Sequence, residues 1–270
     1  MLSCIVDIAK QAGHAILNIY QENDFDVRIK DDDSPLTKAD LAAHEIIIKS
    51  LKNNYPDIPI ISEESNEIEF EELRKWNICF MVDPLDGTKE FINRNDEFTV
   101  NIALIADGQP KLGVIYAPVL NVCYYAAEKM GAFKQVDGHT EKLIKTRKLP
   151  IKVSLPFYSI IASRRHGFEA VETLCKKLGN YQLISRGSSL KMCLIAEGKA
   201  DFYPRLAPTC EWDTAAAQPI VEEAGGALFQ LDFNKLTYNQ KQSFLNPHFL
   251  VVGDLAVNWR SLFTDNPSNN

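Results

Sequence analysis

The residues Met81-Val82-Asp83-Pro84-Leu85-Asp86-Gly87-Thr88 form a junction between a predicted strand and a predicted helix. The apolar run 78–82 predicts a buried strand. Pro84 predicts a turn directly after it, because proline has no N–H to donate to a sheet ladder. The last two residues of the stretch begin a short helix, so Asp83 and Asp86 are expected to lie beside its free N–H groups.

This junction combines two kinds of attraction. Carboxylates attract a hard divalent cation, and the free amides of a helix start attract a phosphate oxygen. The stretch therefore predicts a metal-assisted phosphate site. Taken alone it also fits an ordinary helix cap, since Asp commonly precedes a helix.

Composition limits the kind of protein. The chain has 270 residues, enough for one large domain or two packed lobes. Its formal net charge of −7 argues against a nucleic-acid-binding surface. The six cysteines form no zinc-like spacing, which favours a reducing cytoplasm. Neither a signal peptide nor a membrane span is predicted.

The apolar pattern predicts helices over 2–21 and 39–53, and a hairpin of strands 98–106 and 112–117 turning at Asp107-Gly108. Further strands are expected over 122–127 and from 131. The basic segment 142–152 is interpreted as a hinge or a solvated linker.

The second half alternates strands with helices, which indicates α/β layers. Strands are predicted over 158–162, 181–184, 200–203, 227–230 and 249–252. Helices are predicted over 168–178, 188–196 and 212–223, with a last helix from 255.

Four other acidic residues could join the junction. Asp40 lies in the first turn of a predicted helix capped by Thr37, where it either interacts favourably with the helix dipole or orients a water. Glu63 and Glu64 follow a predicted strand and form either a solvated turn or part of the site, because adjacent strands that end in carboxylates would bring Glu63 near Asp83. Asp213, at a helix start before small residues, is either an N-cap or a ligand. The run Asp31-Asp32-Asp33 is interpreted as a solvated turn.

Basic and hydroxyl side chains could hold an anion. Ser188 and Ser189 lie at a predicted helix start with Lys191 in its first turn, a reasonable phosphate cradle. Arg205 would add a fixed positive charge.

The acidic stretches appear in a characteristic order along the chain. Glu63-Glu64, then Asp83 to Thr88, then Trp212-Asp213-x-Ala215-Ala216 resemble the signature of the inositol monophosphatase superfamily. Three stretches resemble its bacterial 3'(2'),5'-bisphosphate nucleotidase branch. They are Asp83-Pro84-Leu85-Asp86-Gly87-Thr88-Lys89-Glu90-Phe91 followed by Glu97-Phe98-Thr99-Val100-Asn101-Ile102-Ala103-Leu104, then Gly187-Ser188-Ser189-Leu190-Lys191, and then Ser243-Phe244-Leu245-Asn246-Pro247. Ser163-Arg164-Arg165-His166 departs from that branch by its extra arginine, Arg165.

The resemblance implies a layered αβαβα sugar-phosphatase fold of the α/β class. We expect an N-terminal α+β lobe over 1–150 and a C-terminal α/β lobe over 151–264. The family implies Mg²⁺ as the cofactor, with one ion on Glu63, Asp83 and the Leu85 carbonyl. The resemblance implies a second ion shared by Asp83, Asp86 and Asp213, and a third, weaker ion near Glu64.

The resemblance also implies catalytic and substrate-binding roles. Asp40 and Thr88 would polarise the attacking water. The expected substrate-binding residues are Gly87, Thr88, Ser188, Ser189, Lys191, Arg205 and Asp213. No covalent intermediate is expected.

The expected activity is hydrolysis of the 3'-phosphate of 3'-phosphoadenosine 5'-phosphate, and of 3'-phosphoadenylyl sulfate. Arg205 stands near the position where inositol-specific relatives carry an acid, and a cation there suits a second phosphate. The alternatives are an inositol monophosphatase or broad sugar phosphatase, and a non-catalytic homologue. Expected partners are a phosphorylated nucleotide and a second copy in a homodimer, but no nucleic acid. The expected location is the cytoplasm, with possible peripheral contact with the inner membrane.

Overall fold

The computed structural model describes residues 1–22, 25–30, 34–65, 68–150, 157–162 and 168–263, with the backbone alone at 168–170. The acidic run 31–33 and the basic stretch 163–166 lie outside the described residues. Whether they form a solvated turn and part of a nucleotide pocket therefore stays a prediction.

The strands are β1 (Arg28–Ile29), β2 (Pro35–Leu36), β3 (Ile60–Ser62), β4 (Ile78–Asp86), β5 (Thr99–Ala106), β6 (Gln109–Ala117), β7 (Val122–Ala127), β8 (Gly131–Val136), β9 (Lys142–Ile144), β10 (Tyr158–Ala162), β11 (Tyr181–Ser185), β12 (Phe202–Arg205), β13 (Ala227–Gln230) and β14 (Phe249–Val252). The helices are α1 (Leu2–Tyr20), α2 (Lys38–Asn54), α3 (Phe70–Leu73), α4 (Thr88–Ile92), α5 (Phe168–Leu178), α6 (Leu190–Ala196), α7 (Glu211–Ala215) and α8 (Ala217–Glu223), followed by a 3₁₀ helix (Trp259–Leu262).

The strands form two large sheets. The first is seven-stranded, in the order β3-β4-β5-β6-β7-β8-β9, with β3 parallel to β4 and antiparallel pairs beyond. The second is five-stranded, in the order β11-β10-β12-β14-β13. There β10 runs parallel to β11 and β12, and β14 runs antiparallel to β12 and β13.

Helices cover both sheets and lie between them. Phe80 and Val82 of β4 point to the face covered by α1 and α2, and Cys79 and Met81 point to the opposite face. On that opposite face, α6 and α8 share one apolar core with side chains of both sheets. Helix α5 and the 3₁₀ helix cover the outer face of the smaller sheet. The predicted αβαβα layering is thus confirmed.

The predicted end of the central strand is wrong. Strand β4 continues past Pro84 to Asp86, with a shift of register against β5. Asp83 pairs with Asn101 and Asp86 pairs with Thr99, so β4 uses one residue more than β5 over this interval. Pro84 lies in the resulting bulge, where its missing N–H breaks no ladder bond.

The bulge determines where the two carboxylates point. Side chains alternate along a strand, so residues three apart normally face opposite sides. Because the extra residue is absorbed here, Asp83 and Asp86 lie opposite two positions that share a face, Asn101 and Thr99. Both carboxylates therefore face the layer between the sheets.

Three other boundary predictions need correction. The segment 142–152 begins as an edge strand, β9, and Thr146 and Leu149 within it are buried, so the described part is no solvated linker. The helix predicted over 212–223 divides at Ala216 into α7 and α8. The helix predicted from 255 is a turn followed by the 3₁₀ helix.

The hairpin of β5 and β6 turns at Asp107 and Gly108 as predicted, and both residues have positive φ angles, 51° and 71°. Within the described residues, no helix is both long and apolar enough to cross a lipid bilayer. The domain division at residue 150 stays a prediction, although the larger sheet ends at Ile144 and the smaller begins at Tyr158.

Candidate active site

Three carboxylates from distant parts of the chain meet between the two sheets. Asp83, Asp86 and Asp213 each offer an oxygen within 4.8 Å of the others. Two come from the bulge of β4 and the third from the first turn of α7. Oxygen ligands at this spacing are the kind that a hard divalent cation prefers.

Helix α7 reaches the bulge because its junction with α8 packs directly on strand β6. A Cβ atom on Gly113 would lie only 2.0 Å from the carbonyl oxygen of Ala216. Ala215 and Ala216 are themselves buried, so small side chains on both elements permit this approach. Asp213 is then oriented by the backbone N–H of Cys210, which donates to its Oδ2 at 2.9 Å. The N-cap position considered for Asp213 is wrong, since Cys210 is the N-cap, but Asp213 closes the capping box from the first turn of α7 and also belongs to the cluster.

Glu63 lies next to this cluster without belonging to its closest set. Strand β3 is parallel to β4, and the Glu63 N–H donates to the Val82 carbonyl at 3.1 Å. Its carboxyl is close enough to Asp83 for their repulsion to raise the pKa of Asp83. The Lys30 ammonium donates to Glu63 at 3.0 Å and to Glu64 at 2.5 Å. Parallel strand ends therefore bring Glu63 to Asp83, as the sequence led us to expect.

Asp86 has its carboxylate fixed by donors from both halves of the chain. Its Oδ2 accepts from the Ser189 N–H at 2.6 Å, from the Ser189 hydroxyl at 2.7 Å and from the Asn101 amide at 3.2 Å. The Ser189 hydroxyl also lies 2.8 Å from the Asp213 carbonyl oxygen. Ser189 thus connects the bulge of β4 to α7, besides its predicted place in a phosphate cradle.

Asp40 and Thr88 form a pair at the other side of the bulge. The Thr37 N–H and hydroxyl donate to Asp40 Oδ2 at 2.8 and 2.5 Å, which caps helix α2. The Thr88 hydroxyl donates to Asp40 Oδ1 at 3.1 Å and lies 3.3 Å from the Leu85 carbonyl oxygen. One Asp40 oxygen therefore serves the helix, and the other holds Thr88 beside the bulge.

Burial and crowding oppose the charged forms of these carboxyls. Desolvation, followed by repulsion from Asp86, raises the pKa of Asp213 from 3.8 to about 8. Desolvation raises the pKa of Glu63 to about 7 and that of Asp40 to about 6. Asp83, 1% exposed, has a pKa well above its usual value for the same reason, with repulsion from Glu63 next. A bound divalent cation would stabilise the ionised forms, so these residues fit the expected Mg²⁺.

A small cleft of about 80 Å³ opens beside the cluster. Asp86 and Asp213 line it together with the predicted anion-binding residues Ser188, Ser189, Lys191 and Arg205. Arg205 is held by its own loop, since its Nε donates to the Ala207 carbonyl at 3.1 Å and its Nη2 to the Pro208 carbonyl at 2.7 Å. Lys191 lies 3.5 Å from the Arg186 carbonyl.

Gly87 begins helix α4 with a φ angle of 96°, which an L side chain rarely adopts. A Cβ atom there would also lie 3.2 Å from the Glu97 carbonyl oxygen. The predicted role of the Gly87 amide in binding a phosphoryl oxygen therefore depends on a backbone conformation that suits glycine.

Several residues support the site although sequence reasoning assigned them no role, even within the stretch 97–104 that carries part of the resemblance to the family. Asn101 and Thr99 lie on β5 opposite the bulge, and Glu97 accepts from the Gly187 N–H at 2.8 Å and from Arg186 at 3.0 Å. Polar residues at buried alternate positions of β5 were the available signal for Asn101 and Thr99. No sequence pattern indicated the ion pairs of Lys30, since its partners lie over thirty residues away along the chain.

Comparison with known proteins places this arrangement in a family. The model of the inositol monophosphatase family matches residues 1–255. The 3'(2'),5'-bisphosphate nucleotidase CysQ of Salmonella typhimurium is 44% identical over 254 residues, covering 93% of this chain and 99% of that protein. CysQ of Haemophilus influenzae is 38% identical over 266 residues, covering 98% and 97% of the two chains.

Solved structures agree. The crystal structure of CysQ from Bacteroides thetaiotaomicron, a bacterial member of the inositol monophosphatase family, matches with a TM-score of 0.81 at 41% identity. The match covers 93% of this chain and 96% of that one. The suhB protein of Bartonella henselae, at 23% identity and a TM-score of 0.78 over 97% and 98% of the two chains, shares the fold. The chain therefore belongs to the inositol monophosphatase family, as its acidic motifs predicted.

Proposed function

We propose that the protein is a Mg²⁺-dependent 3'(2'),5'-bisphosphate nucleotidase that releases the 3'-phosphate of 3'-phosphoadenosine 5'-phosphate to give AMP. The observation that carries the proposal is one cleft lined by Asp86 and Asp213 and by two cations, Lys191 and Arg205. Relatives named as bisphosphate nucleotidases that match almost their whole length support this choice of substrate. 3'-Phosphoadenylyl sulfate carries the same 3'-phosphate and is the second substrate that we propose.

The acidic residues would hold the metal. Glu63, Asp83 and the Leu85 carbonyl are the ligands proposed for one ion, and Asp83, Asp86 and Asp213 those for a second. Mg²⁺ bound to these oxygens would supply an activated water and positive charge for the leaving oxygen. The donors on Asp86 Oδ2 keep that carboxylate from turning away, so its orientation does not depend on the metal.

Asp40 and Thr88 would position the attacking water. The Thr88 hydroxyl donates a hydrogen bond to Asp40, which leaves its oxygen lone pairs to accept a hydrogen bond from the attacking water. Asp40 is itself fixed by two donors from Thr37, so the pair is held before any substrate arrives. This preorganisation is what a general-base arrangement requires.

Lys191 and Arg205 would bind the phosphate that is not hydrolysed. Hydrogen bonds to charged groups are stronger than neutral ones, and two cations suit a dianion. Ser188 and the Gly87 amide would contact oxygens of the phosphate that reacts. Arg205 uses Nε and Nη2 on its own loop, so it enters the cleft as a rigid charge.

Phosphate release from a small panel of esters tests the proposal. The panel contains 3'-phosphoadenosine 5'-phosphate, 3'-phosphoadenylyl sulfate, AMP and inositol 1-phosphate, each with Mg²⁺ and with EDTA. We expect the highest kcat/KM for the two 3'-phosphorylated nucleotides and no turnover in EDTA. A higher kcat/KM for inositol 1-phosphate would show an inositol monophosphatase, and no release from any ester would show a non-catalytic homologue.

A further inference from the structure

Lys30 lies beside the acidic site on its β3 side. It follows strand β1, and its backbone N–H donates to the Ser34 carbonyl at 2.8 Å. Its side chain is only 22% exposed and ends between two glutamates, Glu63 at 3.0 Å and Glu64 at 2.5 Å. Both ion pairs join residues more than thirty positions apart, so they are part of the tertiary structure.

One of these glutamates is a proposed metal ligand. Glu63 lies at the end of the strand parallel to β4, yet Asp83, Asp86 and Asp213 form the closest group without it. Its Oε1 instead accepts from Lys30. The ammonium therefore already compensates the charge of a carboxylate that the metal would need.

We propose that Lys30 is a built-in counter-cation that competes with the divalent ion for Glu63. In the metal-free protein its ammonium holds Glu63 and Glu64 together and offsets their repulsion. When the metal binds, the Lys30 ammonium loses its ion pair with Glu63 and retains its ion pair with Glu64. The inference deepens the proposed function, since it depends on the same metal site.

The competition follows from electrostatics. A positive charge a few ångströms from a site repels a divalent ion, and half-buried groups are poorly screened. Removing the Lys30 charge should therefore raise metal affinity by roughly tenfold, allowing for solvent screening at its partly exposed side chain. The same change leaves Glu63 and Glu64 without their partner, so the metal-free protein should lose thermal stability.

A purely structural role predicts the opposite for the metal. If Lys30 only oriented Glu63 for the ion, its loss would disorder a ligand and weaken binding. The sign of the change in metal affinity therefore distinguishes competition from orientation, and it does so without a measurement of activity.

The test is a titration of EDTA-treated protein with Mn²⁺, followed by electron paramagnetic resonance or calorimetry. The variants are Lys30→Met, Lys30→Gln and Lys30→Arg. Lys111→Met is the matched control, since Lys111 forms an exposed ion pair with Glu128 at 2.9 Å away from the site. Thermal unfolding of each protein in EDTA and in Mn²⁺ gives a second readout.

We expect the Met and Gln variants to bind Mn²⁺ about tenfold more tightly and to gain more thermal stability from it. Lys30→Arg and Lys111→Met should bind as the wild type does. Unchanged or weaker binding by both Lys30→Met and Lys30→Gln, with Mn²⁺ still bound by the wild type, overturns the inference and leaves the proposed function standing. If the wild type itself binds no Mn²⁺, the inference about Lys30 and the proposed metal-dependent function are both wrong.

Discussion

At the scale of single residues, Asp86 connects the N-terminal and C-terminal halves of the chain through its hydrogen bonds. It belongs to the bulge of β4, faces the layer between the sheets, and accepts from Ser189 and Asn101. Asp86→Asn keeps the shape and one acceptor oxygen while removing one negative charge from the proposed metal site. We expect kcat to fall by at least about a hundredfold. Phosphate release at saturating substrate and Mg²⁺ measures it.

The structure of this variant should survive, because the change also relieves repulsion within a crowded acidic group. Thermal unfolding in EDTA should therefore show no loss of stability. Asp107→Asn, in the exposed turn between β5 and β6, is the matched control with unchanged activity. If Asp86→Asn kept activity within tenfold of the wild type, the shared-metal assignment would be wrong.

Lys191 is a second single residue whose replacement is informative, and it concerns substrate binding instead of metal binding. If its ammonium binds the second phosphate, Lys191→Ala should raise KM for 3'-phosphoadenosine 5'-phosphate by about tenfold and change KM for a monophosphate much less. Steady-state kinetics on the two esters decides this. Lys199→Ala, which removes an exposed cation paired with Glu197, is the control. An equal rise for both esters would contradict the assignment to the second phosphate.

At the scale of elements, the contact between β6 and the α7–α8 junction controls the position of Asp213. A methyl group on Gly113 would overlap the Ala216 carbonyl at 2.0 Å, so Gly113→Ala must push the helices away from the sheet. We expect a loss of about 3 kcal/mol in the free energy of unfolding. Mn²⁺ binding should weaken with it, because Asp213 moves away from Asp83 and Asp86. Urea unfolding and Mn²⁺ titration measure the two effects.

Gly138→Ala tests glycine replacement without a packing clash. Gly138 has a positive φ, 69°, unlike Gly113, and a Cβ atom there meets nothing within 4 Å. Its variant should lose about 1 kcal/mol through strain alone and keep normal Mn²⁺ affinity. Equal metal affinities for both variants would mean that close packing at Gly113 does not position Asp213.

Elements also show what could be predicted from the sequence. The apolar run before Asp83 predicted β4, and the parallel alignment of two strand ends predicted that Glu63 lies near Asp83. Both predictions depended on patterns of neighbouring residues in the sequence. The bulge was missed because proline usually ends a strand, and only pairing with Asn101 and Thr99 shows that β4 resumes at Asp86.

Contacts between distant segments had no local signal. Nothing around Gly113 indicated that a helix junction over a hundred residues later packs on it. The ion pairs of Lys30 depend likewise on how β1 lies against the end of β3. Motif resemblance located the carboxylates in the chain, while their orientation depends on tertiary packing.

At the scale of the whole molecule, the site lies where the two sheets approach each other. Asp83 and Asp86 come from the larger sheet, whereas Ser189 begins the helix after strand β11 of the smaller one. Glu97 strengthens this connection, since its carboxylate accepts from the Gly187 N–H and from Arg186. Metal binding should therefore stabilise the packing of the two sheets as well as the site.

The stability of the metal-free molecule should fall as pH rises, and the stabilisation provided by the metal should grow as pH rises. The folded protein raises the pKa of Asp40 to about 6, of Glu63 to about 7 and of Asp213 to about 8. The folded state then binds more protons than the unfolded state between the usual carboxyl values and these raised values. In EDTA this contribution to stability is complete below pH 4 and is lost as pH rises to about 8.

Mg²⁺ binds the ionised carboxylates, so the stabilisation that it provides should grow over the same interval. Thermal unfolding from pH 5 to pH 8.5, in EDTA and in Mg²⁺, measures the gain in stability that Mg²⁺ provides at each pH. Asp213→Asn removes the group whose pKa is raised to about 8, so its Mg²⁺ gain should be smaller and its dependence on pH flatter. A gain that stayed constant with pH in the wild type would mean that the metal does not bind these carboxyls, since their protons would not compete with it.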